Sequence, residues 1–397
     1  MTKMNKKLQN QITSFYIISS LQACFFATAN WYFLWKLFLT NGGIGIVDGL
    51  CFTVGLLVEI PSGAIADIFG RKKTLMIAVV LMGIGYMITG FAVAGSMILA
   101  GYMIYSIGSA FYSGSDDALM YDHLKENKQE GAWKQIVTTK NIYARIAALT
   151  ATLLGGFLFA YNFRLPAITR GLFFLLMLIP LMILPENYGK ENPEKTFKNY
   201  LSHIVDGLRQ LLIPSIAKLL PLFVILGSVV GTMYVGGLLR PLLLAKAGFN
   251  GVTQSYIITF AGVLTAIALW IYKKNLDKIS DTLAIWLMTI VTVLCFSLMG
   301  LLAPAYWLLM LILIQSIQGL FIPTVSDLVN HQIPSTHRAT TLSALSLTQS
   351  IPYVIAAPII GILADRSDYS AITWGITGLI MLAILASFYL SFVRTKK

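Results

Sequence analysis

Long apolar stretches alternate with short polar ones along the whole chain, and many reach the ~20 residues that carry a helix across a bilayer. The pattern predicts spans near 11–35, 44–66, 74–95, 97–118, 136–160, 165–184, 217–239, 252–272, 282–302, 305–325, 340–364 and 371–392. That makes about twelve membrane helices. The sixth is short, and the eleventh carries Pro352 and Pro358. Residues 185–216 form the one long polar segment, so the chain divides into 1–184, a linker at 185–216, and 217–397. Pro185, Gly189 and Pro193 keep the start of the linker irregular. Phe197, Tyr200, Leu201, Ile204, Leu208, Leu211 and Leu212 then recur at helical spacing, with Lys198, Asp206 and Arg209 off that stripe. This predicts an amphipathic helix lying on the membrane surface, with lipid as its partner.

Composition agrees: 57% of residues are hydrophobic and 12% charged, with a mean hydropathy of +0.75. The net charge of +12 does not indicate a nucleic-acid partner. Most Lys and Arg fall on alternate connections, which orients both termini toward the cytoplasm of a multi-pass protein in the cytoplasmic membrane. Lys3, Lys6 and Lys7 followed by an apolar run and Ala27-Thr28-Ala29 imitate a cleavable leader. The run continues through Trp31-Tyr32-Phe33-Leu34-Trp35, so the segment is read as a retained first span. Cys24, Cys51 and Cys295 fall inside spans without metal spacing, and predict packing rather than disulfides.

One polar connection is unusually dense in charge. Gly63 to Lys73 reads GAIADIFGRKK, placing Asp67, Gly70, Arg71, Lys72 and Lys73 between two apolar runs. Gly63 precedes Asp67 by one helical turn and offers a surface that another helix can approach closely. The pattern G-x-x-x-D-x-x-G-R-K resembles the signature loop between helices two and three of the major facilitator superfamily of secondary transporters. The resemblance implies an all-α membrane protein of twelve transmembrane helices, in two parallel pseudo-symmetric six-helix bundles around a midplane site.

An internal repeat supports that architecture. Offset by 210 residues, Asp67 meets Asp277, Gly90 meets Gly300, Ser106 meets Ser316, Phe111 meets Phe321 and Asp117 meets Asp327. Offset by 206, Ala151 and Gly155 meet Ala357 and Gly361.

Glu59 is the acid placed well inside a span, and Arg145 the cation. Glu59 lies eight residues before Asp67, about 12 Å along a helix, so Glu59, Gly63 and Asp67 share a face. A charge near the bilayer centre costs at least ~2.5–3.5 kcal/mol, so Glu59 is paired, facing water or protonated. Two readings stay open: a proton-coupling carboxyl with Arg145 as counter-ion, or a structural group, in a static ion pair with Arg145 or hydrogen-bonded to a neighbouring backbone.

For Asp67, Arg71 and Asp117 the resemblance implies a latch. Arg71 would pair with Asp117 or its neighbour Asp116, and Asp67 would meet the start of helix eleven near Arg338 to Leu342. Asp277 and Asp327 would be a weaker copy, since no arginine matches Arg71 in the second half. Such contacts form only with the cytoplasmic side closed, and thus favour the outward-facing state.

In this family helices one, four, seven and ten line the cavity. Their middles here offer Gln22, Phe26, Tyr102, Tyr105, Ser109, Thr232, Tyr234, Gln315 and Gln318, amides and aromatics without an acid or a cation. Such a lining suits a neutral or weakly amphipathic small-molecule substrate. For any single one of these residues, helix packing is favoured over ligand contact. The exporter marks are incomplete. Ile104-Tyr105-Ser106-Ile107-Gly108 stands where exporters carry R-x-x-Q-G, and Ala151-Thr152-Leu153-Leu154-Gly155-Gly156 keeps only the last two glycines of G-P-x-x-G-G. Proton-coupled export is favoured modestly over uptake. A sensor or lipid-handling relative is the further alternative.

Other classes fit less well. The chain has no G-x-x-x-x-G-K-[ST] nucleotide loop, and His123, His203, His331 and His337 lie at or beyond span ends. A monomeric, cofactor-free, metal-free transporter is expected rather than an enzyme, coupled to H+.

Overall fold

The computed structural model describes residues 5–186, 205–274, 280–334 and 338–395; the side chains of residues 60, 63, 64, 67, 68, 273, 339 and 393–395 lie outside that description. The described residues are helical and contain no strand. Phe197, Lys198, Tyr200, Leu201, Ile204, His203, Asp277 and His337 fall outside them, and with them the first half of the predicted amphipathic helix. Residues 205–211 of the linker are helical.

Nine described helices are long and apolar enough to cross a membrane, or ten if one bent pair counts as a single span. The count is lower than the expected twelve for physical reasons visible in the elements. Helix α1 (Lys6–Ala23) begins with Lys, Gln and Asn, and the chain then turns over Cys24–Asn30 before α2 (Trp31–Lys36). The single predicted first span is thus two pieces. Its start is capped by the Asn5 side chain, which accepts from the Lys7 N–H at 3.2 Å.

The following helices are α3 (Asn41–Phe69), α4 (Arg71–Gly90), α5 (Gly95–Tyr112), α6 (Ser115–Glu126), α7 (Trp133–Tyr161), α8 (Leu165–Leu176) and α9 (Leu178–Ile183). Helix α5 is diluted by Gly, Ser and Tyr. Gly114, at φ +71°, separates it from α6. After the linker come α10 (Pro214–Ala217), α11 (Leu220–Gly227) and a π-helical stretch at Ser228–Gly236. The chain then bends by 67° into α12 (Leu239–Lys246), at the end of the expected seventh span, 217–239. Gly236 and Gly237 stand at the bend, where helical hydrogen bonding lapses. Helices α13 (Gly251–Lys274), α14 (Asp281–Leu301), α15 (Leu308–Gln332), α16 (Arg338–Asp365) and α17 (Tyr369–Thr395) complete the chain.

The chain divides into two compact units. One comprises Met1–Phe38, Cys51–Tyr200 and Gly251–Tyr256; the other comprises Leu39–Leu50, Leu201–Asn250 and Ile257–Lys397. Helix α3 therefore belongs to both, and so does α13.

In the first unit α4 packs along α5 and α8, and α1 along α7. The α4–α5 pair is close because Gly85 and Gly101 face each other. A Cβ at Gly85 would come within 2.5 Å of the Gly101 carbonyl oxygen. Elsewhere in this unit Leu8, Ile12, Phe15, Met120, Leu124 and Ile136 form an apolar cluster backed by Trp133. In the second unit α14 packs on α15 and α17, and the π-helical stretch on α15 and α16. Exposed Leu57, Ile77, Phe157, Trp270, Ile355 and Leu382 belong to faces that water would not tolerate as a contiguous surface and lipid would.

Candidate functional site

The signature loop is organised by a carboxylate that the sequence reading did not single out. Gly70 is the residue before α4 and adopts φ +97°, a left-handed geometry open to glycine. This leaves room for Glu186, just after α9. Its Oε1 accepts from the Lys72 backbone N–H at 3.0 Å, and its Oε2 from the Lys73 N–H at 3.1 Å. An anion thus sits on the positive end of α4 and satisfies two amides that the helix leaves open. The Lys72 ammonium donates to the Met182 carbonyl at 3.1 Å and ties the loop to α9.

Arg71 pairs with Asp122 at 2.8 Å, rather than with the expected Asp116 or Asp117. The reason is the break at Gly114: α6 is a separate helix, so positions along it do not continue the phase of α5. Asp116 and Asp117 instead flank Lys140 of α7, whose Nζ lies 2.6 Å from Asp117 Oδ1 and 3.8 Å from Asp116 Oδ2. Tyr112 also donates to Asp116, at 3.3 Å. The side chains of Gly63 and Asp67 lie outside the described residues.

Glu59 is half-buried and accepts from the Ser113 hydroxyl at 3.2 Å. Arg145 is exposed on α7, and among the described residues no ion pair joins it to Glu59. Beside Asp122 on α6, the His123 imidazole is only 1% exposed. Burial pushes its pKa below 6.5, against the opposing pull of the Pro185 backbone and Asp122.

Two buried arginines change the picture of the spans, in which Arg145 was the expected cation. Arg170, within the predicted sixth span, is 3% exposed. Its Nη1 donates to the carbonyls of Leu21 at 3.2 Å and Cys24 at 3.0 Å, acceptors that open where α1 stops. Its guanidinium carbon lies 3.8 Å from the Phe174 ring centroid and 4.9 Å from that of Phe25. Arg240 of α12, also 3% exposed, donates to the Gln315 side-chain oxygen at 3.0 Å. Arg170 lies inside the expected sixth span and Arg240 one residue beyond the expected seventh. Their position beside or inside predicted spans was the available signal.

The expected cavity residues gather within each unit. Tyr102 stacks on Tyr105 with centroids 5.3 Å apart; Tyr105 also meets Tyr86 at 4.8 Å, and Tyr102 meets Trp35 at 4.8 Å. Phe26 is buried against Phe173, while Gln22 and Ser109 are partly buried. In the second unit Tyr234 donates to the Leu311 carbonyl at 2.6 Å, and Gln315 is engaged by Arg240. Thr232 and Gln318 are partly buried.

One further acid is deeply placed. Asp48 of α3 is 0% exposed, and its Oδ2 accepts from the Tyr353 hydroxyl of α16. The same hydroxyl accepts from the Leu238 N–H at 2.8 Å, at the bend before α12. Among the described residues no group of three or more His, Cys, Asp and Glu is placed to hold a metal ion.

The sequence profile of the Major Facilitator Superfamily matches residues 12–357. Curated proteins give no match. Solved structures of similar fold include the nucleoside transporter NupG, with a TM-score of 0.74 at 14% identity over 97% of this chain and 99% of the other. They also include a D-xylose–proton symporter, with a TM-score of 0.70 at 15% identity over 96% of both chains. A bacterial homologue of the human lysosomal transporter Spinster, in an inward-facing and unoccupied conformation, gives 0.68 at 14% identity over 98% and 97%. With a family match over most of its length, and a fold of packed apolar helices, this chain belongs to the major facilitator superfamily of membrane transporters.

Proposed function

We propose that the chain exports a small organic solute across the cytoplasmic membrane by alternating access, in exchange for protons, as a monomer with both termini in the cytoplasm. The observation that carries a gated mechanism is the ion pair of Arg71 with Asp122, beside the Glu186 cap on α4. In this reading Gly63, Asp67, Gly70 and Arg71 form the latch. Asp116 and Asp117 act one step removed, by holding Lys140. The twofold division, with 185–216 as linker, supplies the two moving bodies.

Gln22, Phe26, Tyr102, Tyr105, Ser109, Thr232, Tyr234, Gln315 and Gln318 are proposed as the solute's lining. Their aromatic character favours a neutral or amphipathic molecule. Arg240 beside Gln315 adds a positive charge that the sequence reading lacked, and favours a solute with an electron-rich polar group. Glu59 is the proposed proton carrier; its bond is to Ser113 rather than to the Arg145 partner first expected. The fold also contains proton symporters such as that for D-xylose, so uptake is the competing direction.

Purified protein in proteoliposomes, with an internal pH-sensitive dye and a panel of nucleosides, sugars and amphipathic amines, tests this. Export predicts that at least one compound dissipates an imposed proton gradient in the antiport sense, and that Glu59→Gln abolishes it. Accumulation with the proton would overturn export. Solute movement indifferent to a protonophore would overturn coupling. Arg71→Ala and Asp122→Asn should each shift cysteine labelling between the two membrane faces; unchanged labelling refutes the latch.

A further inference from the structure

Asp48 lies inside a predicted span, fully buried, where an ionised carboxylate lacks both water and a compensating cation. Tyr353 supplies its hydrogen bond, and among the described residues its Oδ1 has no hydrogen-bond partner. Among the described residues, the groups bonded around it offer no positive charge. Tyr353 on α16 is the titratable side chain facing it, and Leu238 presents a backbone N–H that is already given to Tyr353. Arg240, two residues beyond Leu238, donates to Gln315. Asp365, at the C-terminal end of α16, accepts from the N–H groups of Asn41 at 2.8 Å and Gly42 at 2.7 Å, which holds the first turn of α3.

We propose that Asp48 is a proton-binding carboxyl: it holds a proton while α3 is packed on α16, and releases it to water when the two helices part. Oδ2 accepts from Tyr353, so the proton resides on Oδ1. On separation the O–H bond breaks, the proton passes to water and a hydrated carboxylate remains; closure reverses the step. Asp48 and Tyr353 lie in one compact unit, so parting requires the first turns of α3 to leave α16 and follow the rest of their own helix. Residues 39–50 belong to the unit of α16, and the helix from Cys51 onward to the other. Release rests on the alternating-access reading above, whereas the protonated state does not.

Infrared spectroscopy of the full chain in lipid nanodiscs at neutral pH reads the proton directly. A protonated carboxyl shows a carbonyl stretch that a carboxylate lacks. The expected result is a band present in the wild type and lost in Asp48→Asn. Tyr353→Phe should keep that band and shift it upward, because the hydrogen bond to Oδ2 is gone. Identical wild-type and Asp48→Asn spectra would overturn the assignment, as would a Tyr353→Phe spectrum without the band.

The release step is tested by locking the helices. A Cβ at Gly49 would lie 3.8 Å from the Ala357 Cβ, a separation that suits a disulfide. In Gly49→Cys/Ala357→Cys protein the oxidised form should retain the Asp48 band through an alkaline titration, and the reduced form should lose it. Equal titration of the two forms would overturn release on separation. A present band with no proton-coupled transport in the proteoliposomes would count against the transport reading and leave the protonated carboxyl standing.

Discussion

The carboxylate of Glu186 occupies the space that a side chain at Gly70 would need. A Cβ there would lie 2.6 Å from Glu186 Oε1, and the residue's φ is +97°. Gly70→Ala is therefore expected to destabilise the protein twice over, by about 1–3 kcal/mol of backbone strain and by expelling the cap on α4. Glu186→Gln keeps the shape and removes the charge, and should lose only about 0.3–1 kcal/mol. Thermal unfolding of both variants in detergent separates the effects. A harmless Gly70→Ala would mean that the cap is not held as described.

Arg170 ties the broken end of α1 to α8. Arg170→Met would remove one hydrogen bond from each of the Leu21 and Cys24 carbonyls, which keep the Cys24 and Phe26 backbone N–H groups as donors, at about 0.5–1.5 kcal/mol each. Arg170→Lys retains a charge but not the planar stack over Phe174, and should fall between. Because Cys24 sits at the break, its thiol should react faster with maleimide in Arg170→Met. Equal rates would show that the turn is held by other contacts.

His123 gives the first unit an acid sensitivity. Burial lowers its folded-state pKa below the unfolded value of 6.5, so the unfolded chain binds the proton more readily. The stability that this group contributes is complete above 6.5 and is lost as the pH falls from there through the folded-state value. The unfolding midpoint of the wild type should therefore fall on acidification through this window more steeply than that of His123→Gln. Parallel curves would assign the acid sensitivity elsewhere.

The positions that misled are informative. The family resemblance implies that Arg71 meets an acid at the end of the fourth helix, here Asp117 or Asp116 in the apolar run 97–118. Gly114 ends that run, and Asp122 takes the contact. Arg170 and Arg240 are both buried, and carbonyl and amide oxygens accept their hydrogen bonds. Asp48 lies in the expected second span, 44–66, and its partner lies 305 residues away on α16. Spacing along one helix cannot register a tyrosine arriving from another.

Hydropathy alone determined that this chain is a bundle of membrane helices, because burying an unpaired backbone in lipid is so unfavourable that long apolar runs have no other outcome. The GRKK connection and the repeated Asp and Gly positions determined the family, since charge density and backbone freedom are written residue by residue. The pairing of charges was decided only by the tertiary structure. It depends on where α1, α5 and the seventh span break, and on which helices approach through small residues. Those features arise from packing between segments distant in the chain, and electrostatic contacts change partner when a helix turns by a fraction of one revolution.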